Sequence, residues 1–382
     1  MTRVLVAGVS TRAAAASAAE AGYDVVAIDG YADRDQHQRV HALSLPRDAG
    51  VPFSAAAAAA AARQFDTDAA AYLSNFENDL DAVAVLGTSR SLWGNPHDVL
   101  RRARDPFIVA RLFDDHGIPT ARVRTHPGEP NDPTHWLHKP LASGGGHGIR
   151  PWTTGAVGRR HYLQERIDGT AGSVVFVAAE GRAVTMGISR QLIGDARFGV
   201  SGYRYCGNIL APASQHLVWG GDTLTAAVDR LAAIAAAELL LVGVNGIDFV
   251  ARDEIPYPIE INPRWTASME LIERACGVNV FAAHAMACSA RRLPDAMPAV
   301  PGAVGKAVVF ARADSVVGDT DAWLADPDIR DVPHSGHVAR AGTPVCSVFA
   351  AAPDAAECEL ELVRRAERIY RDLEDWSRTL AT

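Results

Sequence analysis

The sequence predicts a protein of mixed α/β and α+β class in three parts: an open parallel sheet, a middle region of short strands around a cleft, and a small α+β tail. Three observations lead to this prediction. The chain opens with apolar runs that alternate with alanine-rich stretches, glycine-rich turns follow residue 119, and a charged stretch of helical character closes the chain. With 382 residues, 48% of them hydrophobic, the chain is long enough to form more than one core.

The opening residues have the pattern of a βαβ unit. Apolar runs at 4–7 and 24–28 flank an alanine-rich helix predicted over 12–21. Between the first run and the helix, the glycine spacing does not match a dinucleotide-binding fingerprint, so a tight turn is favoured there. Further strands are predicted at 71–74 and 82–86, which extends the parallel sheet over a domain of residues 1–104.

Two further segments of this first domain stand out. The alanine run over 55–62 predicts a helix. Asn75, Phe76 and Glu77 follow a predicted strand, at the position where α/β sheets commonly place ligand contacts. We therefore include them as candidate substrate contacts.

Changes of composition mark the other two parts of the chain. An amphipathic helix is predicted from Asp105, ending near Gly117 and Pro119, and it opens a middle domain of residues 105–300. Prolines near residue 300 indicate a linker to a tail of residues 301–382. In the tail we expect strands at 307–311 and 345–350, followed by a helix over 355–378.

Charge and cysteine content indicate which kinds of molecule the protein binds and in which compartment it is expected. The net charge of −8 argues against nucleic acid, whose phosphates attract clusters of Lys and Arg. Five widely spaced cysteines without a CxxC pair indicate neither a disulfide framework nor a zinc site, so a reducing cytoplasm is expected. No run is long enough for a membrane span. Small molecules are the expected partners, and a homodimer is compatible with the sequence.

A lysine followed by a glycine-rich loop is the first segment with a chemical signature. Lys139 ends an apolar strand, and Ser143, Gly144, Gly145 and Gly146 follow it. Glycines let backbone N–H groups turn toward an anion, and the ammonium adds a point charge for a phosphate. The order differs from a P-loop, in which the lysine closes the loop. A flexible surface hairpin remains the alternative.

A second short strand lies about 25 residues further on. It contains Gln164, Glu165, Arg166, Ile167 and Asp168 and ends at a turn. Such a strand can offer backbone donors and acceptors to an adenine edge, and its acidic side chains can accept from a hydroxyl or an amine. By itself this signal is weak, but two such strands can form facing walls of one cleft.

A predicted β-hairpin centred near Glu254 carries the strongest signal. In this hairpin Asp248 lies opposite Glu260, and Asn262 follows on the same face because side chains alternate along a strand. Two carboxylates and an amide oxygen suit a hard divalent cation such as Mg²⁺. Arg264 is placed to neutralise charge on a transferring phosphoryl group. The alternative is a solvated hairpin with Arg264 as an ion-pair partner.

Together these segments resemble the ATP-grasp superfamily over roughly residues 105–300. The first domain looks like the preATP-grasp domain, and the tail resembles the C-terminal domain of biotin-carboxylase-like members. The resemblance implies a two-subdomain nucleotide cleft that binds ATP with Mg²⁺, or Mn²⁺ in its place. It further implies phosphate binding by Lys139 and the glycine-rich loop, adenine binding by residues 164–168, metal binding by Asp248, Glu260 and Asn262, and catalysis by Arg264 and Lys139.

One departure from the superfamily pattern concerns a lysine at the start of the middle domain. Many members have an Asp-Lys pair there, but this chain has Asp105 followed by Pro106. Arg104 and Arg111 are the two candidates to replace the missing cation.

The resemblance implies a carboxylate–amine ligase that forms an amide through an acyl phosphate. The whole pattern is similar to tyramine–glutamate ligases and to related ATP-grasp proteins associated with one-carbon cofactors, which suggests glutamate or another amino acid as acyl donor and an amine as acceptor. Candidate substrate contacts are Arg190, Arg204, Asn208, Arg264 and Ser268. Surface charges, a turn and a helix N-cap are the alternatives for these residues. A carboxyphosphate-forming carboxylase and a non-catalytic ATP-binding regulator remain open as functions.

Overall fold

A computed structural model describes residues 1–126, 135–212 and 221–380. It has the mixed α/β and α+β class that the sequence predicts, with a parallel sheet first and antiparallel sheets after it. In the described part of the chain, no helix is long and apolar enough to cross a membrane. All five cysteines are free thiols.

The first sheet has five parallel strands in the order β3-β2-β1-β4-β5. Its strands are β1 (Arg3–Ala7), β2 (Asp24–Asp29), β3 (Val40–Ser44), β4 (Ala69–Tyr72) and β5 (Ser91–Trp93). Its helices are α1 (Arg12–Glu20), α2 (Leu45–Ala49), α3 (Ala55–Ala61), α4 (Leu80–Leu86) and α5 (His97–Ala103). The predicted βαβ opening and the alanine helix are confirmed, because β1, α1, β2 and α3 lie where expected.

The strand predicted at 82–86 is wrong, because these residues form α4. Asp79 is the N-cap of this helix, and its side chain accepts from the Ala82 backbone N–H at 3.1 Å. The run is too short for its apolar content to distinguish strand from helix, and the acidic cap was the signal that could have decided. The outer strand of this side of the sheet is instead β5.

A four-stranded antiparallel sheet follows in the order β6-β9-β7-β8. Its elements are α6 (Pro106–Asp115), β6 (Val123–Arg124), β7 (Trp136–Pro140), β8 (Arg150–Trp152) and β9 (His161–Glu165). Asp105 is the N-cap of α6 and accepts from two backbone N–H groups, while Pro106 occupies the first helical position. The Asp105-Pro106 pair is therefore a helix start, which leaves no lysine at this place.

The largest sheet is antiparallel and has eight strands in the order β14-β13-β10-β11-β12-β15-β19-β17. Its strands are β10 (Thr170–Ala179), β11 (Arg182–Ile193), β12 (Tyr205–Leu210), β13 (Gly243–Arg252), β14 (Ile255–Asn262), β15 (Ala303–Phe310), β17 (Ile329–Arg330) and β19 (Pro344–Ala352). The remaining elements are α7 (Gly221–Leu239), α8 (Met269–Cys276), α9 (Val280–Ala290), β16 (Ser315–Val316), α10 (Asp321–Ala325), β18 (Val338–Ala339) and α11 (Ala355–Leu380). The predicted tail strands and final helix are present, and both strands belong to this sheet.

The two faces of the largest sheet have different roles. Ile247, Phe249 and Ile261 are buried in a core with α7. Val175, Val177 and other residues of the opposite face pack with α8, α9 and the first sheet. Because side chains alternate along β13, Asp248 lies on the second face, between the largest sheet and the first domain.

Candidate active site

The β13–β14 hairpin has the predicted register. Asp248 pairs with Glu260 and Gly246 pairs with Asn262, and a two-residue turn at Asp253 and Glu254 joins the strands. Asn262 Nδ2 donates to Asp248 Oδ2 at 3.0 Å. The structure therefore brings Asp248, Glu260 and Asn262 together on one face.

The charges of Asp248 and Glu260, beside Asn262, favour the binding of a cation. Burial, with the charge of Glu260 adding to it, raises the pKa of Asp248 to about 7. Burial would also raise the pKa of Glu260, but Arg104, Lys139 and Arg264 outweigh it, so this pKa is lowered. One proton shared by two crowded carboxylates at neutral pH is what a divalent ion displaces. The oxygen donors present thus fit Mg²⁺.

The trio holds two carboxylates only, and across the described ranges no group of three or more His, Cys, Asp or Glu residues is placed to hold a metal. The third donor here is the amide oxygen of Asn262. Coordination of a nucleotide-bound ion needs fewer protein ligands than a site built from protein alone, because phosphate oxygens fill the remaining positions. The donor set is therefore that of a shared metal site.

Lys139 reaches the hairpin from the four-stranded sheet. The lysine is buried, and its Nζ donates to Gln164 Oε1 at 2.8 Å. Gln164 in turn donates from Nε2 to the Ile259 carbonyl of β14 at 3.2 Å. The predicted lysine strand and the predicted second strand are thus hydrogen-bonded neighbours, β7 and β9, rather than facing walls.

Arg104 is a second cation at this cleft. Its NH1 lies 3.4 Å from Glu260 Oε2 and 3.0 Å from the Ile261 carbonyl, and its NH2 donates to the Ser143 carbonyl at 3.1 Å. Arg111 is 84% exposed and pairs with Asp115 one turn along α6. Of the two arginines considered as replacements for the missing lysine, the structure brings only Arg104 to the cleft.

The glycine-rich loop lies over the cleft and is anchored to the start of β12. The Gly145 carbonyl accepts from the Tyr205 N–H at 3.1 Å. Gly146 has a φ of +76°, and a Cβ there would lie 1.8 Å from the Tyr203 carbonyl oxygen. The cleft that this loop covers is lined in addition by Arg104, Lys139, Tyr162 and Glu260.

Most of the predicted adenine segment does not line this cleft. Glu165 accepts from Arg122 Nε at 3.0 Å, and Arg166 pairs with Asp168 at 2.8 Å on the surface. Ile167 is buried. Of this segment, Gln164 is connected to the cleft, because it accepts the hydrogen bond from Lys139.

Arg264 is held in place by a residue that the hairpin pattern did not indicate. Its Nε donates to Glu77 Oε1 at 2.7 Å, and its NH2 donates to Asn262 Oδ1 at 3.2 Å. Glu77 is wholly buried. Its position after β4 was the sequence signal, although the charge partner was not predictable from spacing.

The remaining predicted substrate contacts are divided between the two faces of the largest sheet. Arg204 lines a large cavity, and Asn208, in β12, donates from Nδ2 to Ser189 Oγ at 2.8 Å. Ser268 is buried at the N-cap of α8, 3.0 Å from Thr266 Oγ1. Arg190 pairs with Glu359 of α11 and lies on the opposite face of the sheet from Asp248, so the structure does not bring it together with the other predicted contacts.

The large cavity has a volume of about 810 Å³ and lies between the first domain, the glycine-rich loop and the tail. Its lining includes Ser74 and Asn75, which follow β4, as well as Arg264 and Gly144. The cavity therefore lies next to the glycine-rich loop and, through Arg264, next to the trio of Asp248, Glu260 and Asn262. The volume is sufficient for organic molecules of amino-acid size.

A buried ionic network closes one wall of this cavity. Arg12 NH2 lies 2.7 Å from Glu270 Oε1, and Arg12 Nε lies 2.9 Å from Asp331 Oδ1. Lys306 Nζ donates to Glu270 Oε2 at 2.7 Å and lies 3.6 Å from Asp331 Oδ2. The network joins α1, α8, β15 and the loop after β17, and no motif in the sequence indicated it.

Comparison with known proteins agrees with this geometry. Residues 103–268 match the family model described as an ATP-grasp domain. No curated protein sequence matches the chain.

Solved structures with the same fold cover nearly the whole chain at low identity. A biotin carboxylase from Campylobacter jejuni has a TM-score of 0.69 at 14% identity, covering 94% of this chain and 89% of that chain. An L-amino acid ligase from Bacillus licheniformis has a TM-score of 0.67 at 14% identity, covering 98% of both chains. An N5-carboxyaminoimidazole synthetase from Staphylococcus aureus has a TM-score of 0.68 at 13% identity, covering 98% of this chain and 97% of that one.

Identities this low show a shared fold and leave the substrates of this chain open. The family match adds the type of domain, and it spans the lysine strand, the loop and the acidic hairpin described above. Residues 103–268 are therefore similar to ATP-grasp domains, and the chain as a whole shares its fold with the solved structures above.

Proposed function

We propose that the protein is an ATP- and Mg²⁺-dependent ligase that activates a carboxylate as an acyl phosphate and transfers the acyl group to an amine. The observation that supports this most is the convergence of Asp248, Glu260 and Asn262 beside three cations, Lys139, Arg104 and Arg264. Acidic oxygens and cations interleaved in one cleft are the requirement for binding a metal-chelated polyphosphate.

In this proposal Lys139 and Arg104 bind phosphate oxygens, and the loop from Ser143 to Gly146 covers them with backbone N–H groups. Asp248, Glu260 and Asn262 would hold Mg²⁺. When bound, the ion would neutralise phosphate charge and act as a Lewis acid on the transferring group. Arg264, fixed by Glu77 and Asn262, directs its guanidinium to the charge that develops on the transferring phosphoryl group.

The chemistry needs no protein nucleophile. A carboxylate oxygen of the acid attacks the γ-phosphorus of ATP, the bond to the β-phosphate oxygen breaks, and ADP leaves. The amine nitrogen then attacks the acyl carbon, phosphate leaves with the electron pair of the broken C–O bond, and the nitrogen loses one proton. The chain contributes positioning and charge stabilisation to both steps.

In its narrower form the proposal takes glutamate or another amino acid as acyl donor and an aromatic or amino-acid amine as acceptor. The similarity of the sequence to tyramine–glutamate ligases motivates this choice, and a role in cofactor biosynthesis would follow from it. The apolar walls of the large cavity, including Val308, Phe310 and Val345, favour organic substrates over bicarbonate. This observation ranks the ligase above a carboxyphosphate-forming enzyme.

An assay of ADP release across a matrix of acids and amines tests the proposal, with mass spectrometry to detect the amide. We expect ADP release only when acid and amine are both present, in a one-to-one ratio with amide. ADP release that needs bicarbonate and no amine would select the carboxylase, and ATP binding without turnover on any acid would select a regulator.

A matched pair of variants on one hairpin connects the activity to the site. Glu260→Gln should lower turnover at least 100-fold, since it removes a carboxylate from the trio without changing side-chain size. Glu254→Gln, at the exposed turn of the same hairpin, should retain wild-type turnover. Equal rates for the two variants would show that the trio has no part in the reaction.

A further inference from the structure

One acidic side chain in the large cavity lacks a partner. Asp33 follows β2, is 7% exposed, and lines the cavity. Within the ranges that the structure describes, its carboxylate accepts no hydrogen bond and forms no ion pair. A buried carboxylate without a partner carries a large desolvation cost, which is usually tolerated where a ligand supplies the missing charge.

The charges around Asp33 add to this cost. Burial, followed by the negative charges of Asp331, Asp35 and Asp29, raises the pKa of Asp33 well above its usual range, and Arg12 opposes them only in part. The folded protein thus concentrates negative potential at this end of the cavity. A cationic ligand group would relieve it.

The neighbouring carboxylates are already occupied. Asp29 accepts from Thr11 Oγ1 at 2.7 Å and from the Ala32 N–H at 2.7 Å. Asp35 accepts from the Val332 N–H at 2.8 Å and lies 3.4 Å from Arg12 Nε. Asp331 contacts Arg12, Lys306 and Ser347. Asp33 is the member of this group that is left for a ligand.

The nearby cations are also committed to other partners. Lys306 donates to Glu270 at 2.7 Å. Arg47 pairs with Asp48 at 2.8 Å and donates to the Ala32 carbonyl at 3.1 Å. A metal ion is disfavoured as the missing charge, because the described residues offer no group of three acidic or metal-binding side chains here. A single free carboxylate suits an ammonium group, which needs one strong acceptor and tolerates apolar surroundings on its carbon side.

The cavity that Asp33 lines also has apolar walls, which fit the carbon side of such a ligand. Val9, Pro46, Val308, Phe310, Pro333 and Val345 line the same cavity. We infer that Asp33 binds the ammonium group of a substrate, so that the ligase takes a primary amine or an amino acid with an apolar carbon skeleton at the junction of the first domain and the tail. This inference rests on the proposed function, because it takes the cavity to be the substrate site.

Binding measured without turnover tests the inference separately from the ligase activity. The full-length protein, saturated with Mg²⁺ and a non-hydrolysable ATP analogue, is titrated in a calorimeter with n-butylamine, 2-phenylethylamine, L-leucine and L-phenylalanine. Each is paired with its N-acetyl derivative, which retains the carbon skeleton and lacks the positive charge. We expect at least one free amine to bind at least tenfold more tightly than its N-acetyl form.

Variants then assign that preference to one residue. Asp33→Asn should abolish the tenfold preference and leave affinity for the N-acetyl form unchanged, while the exposed control Asp81→Asn should retain it. An unchanged preference in Asp33→Asn, or no preference for any free amine in the wild-type protein, overturns the inference. Preference through Asp33 without amide formation in the ADP assay would overturn the proposed function and leave only the assignment of Asp33 to an ammonium group standing.

Urea unfolding distinguishes a ligand role from a structural one. Because burial and the neighbouring carboxylates disfavour the charged form of Asp33 in the folded chain, Asp33→Asn should leave the free energy of unfolding unchanged or raise it. A clear loss of stability in this variant would indicate that Asp33 supports the fold, and would overturn its assignment to a ligand.

Discussion

Glu77 lies directly behind Arg264: its Oε1 accepts from Arg264 Nε at 2.7 Å, although 187 positions separate the two residues in the chain. Neither side chain is more than 9% exposed. Through this ion pair, the turn after β4 in the first domain fixes the guanidinium of Arg264, which follows the acidic hairpin formed by β13 and β14. The first domain is therefore part of the candidate active site.

Replacing Glu77 should impair turnover through Arg264. In Glu77→Gln one hydrogen bond remains possible but the charge is lost, so we expect kcat to fall roughly 10- to 100-fold, a cost of about 1.4 to 2.7 kcal/mol in the transition state. The KM for ATP should change little, since Lys139 and Arg104 are untouched. Steady-state kinetics check this, and a rise in the KM for ATP at constant kcat would contradict it.

The loop glycines should differ in their tolerance of a side chain. Gly146→Ala places a Cβ 1.8 Å from the Tyr203 carbonyl at a φ of +76°, so the loop must leave its anchor on β12. We expect the KM for ATP to rise at least tenfold. Gly144→Ala is the control, because nothing lies within 4 Å of its Cβ. A similar KM in both variants would mean that the anchored loop has no role in nucleotide binding.

Alanine variants of Arg104 and Arg111 should differ in their affinity for ATP. Arg104→Ala removes a cation that contacts Glu260 and the Ser143 carbonyl, so affinity for ATP should fall at least tenfold. Arg111→Ala removes an exposed charge paired only along its helix, and affinity should be unchanged. Fluorescence titration with an ATP analogue measures both, and the reverse order of effects would show that the missing lysine is replaced from α6.

Two buried titratable groups should give the stability a characteristic dependence on pH. Burial lowers the pKa of His284 from 6.5 to about 4, where its Nδ1 accepts from the Val244 N–H. Below pH 6.5 the unfolded chain binds a proton that the folded chain does not, so the contribution of His284, roughly 3 kcal/mol, is lost as pH falls to 4. Burial raises the pKa of Glu273 from 4.5 to about 7, and its contribution is lost as pH rises through that window.

The two contributions oppose each other between pH 4.5 and pH 6.5, and single variants should reveal them. In His284→Gln the free energy of unfolding should fall more steeply, or rise less steeply, with pH than in the wild-type protein, because the His284 contribution is removed. In Glu273→Gln it should rise more steeply, or fall less steeply, with pH than in the wild-type protein, because the Glu273 contribution is removed. Urea titrations at several pH values measure both slopes. Parallel curves for the two variants would show that neither group titrates as its burial implies.

Local sequence signals were sufficient for much of the fold. The βαβ opening, the alanine helix and the hairpin register follow from patterns that span fewer than 20 residues, and the structure has them. The helix over 80–86 is not predictable from its apolar run alone, because a short run suits both helix and strand, and only its acidic N-cap Asp79 favours the helix.

The candidate site was harder to predict from the sequence than the fold, because most of its contacts join distant parts of the chain. Alternation along two strands gave Asp248, Glu260 and Asn262. No local pattern could indicate that Glu77 reaches Arg264, or that Arg104 reaches Glu260. Spacing along the chain also could not indicate that Arg190 lies on the opposite face of the sheet from Asp248, because a shift of one residue along β11 changes the face.

β12 pairs with β11 on one side and with β15 on the other. The strands that carry the acidic hairpin and the strands of the tail therefore belong to one continuous ladder of main-chain hydrogen bonds, and Lys306 of β15 also lines the large cavity. Replacing the tail from residue 300 onward to alter substrate preference would remove β15. The unpaired edge of β12 would then be exposed to solvent and to other chains. Chimaeras of this protein should therefore be joined outside the eight-stranded sheet. Residues 303–352 should be kept together with the rest of that sheet.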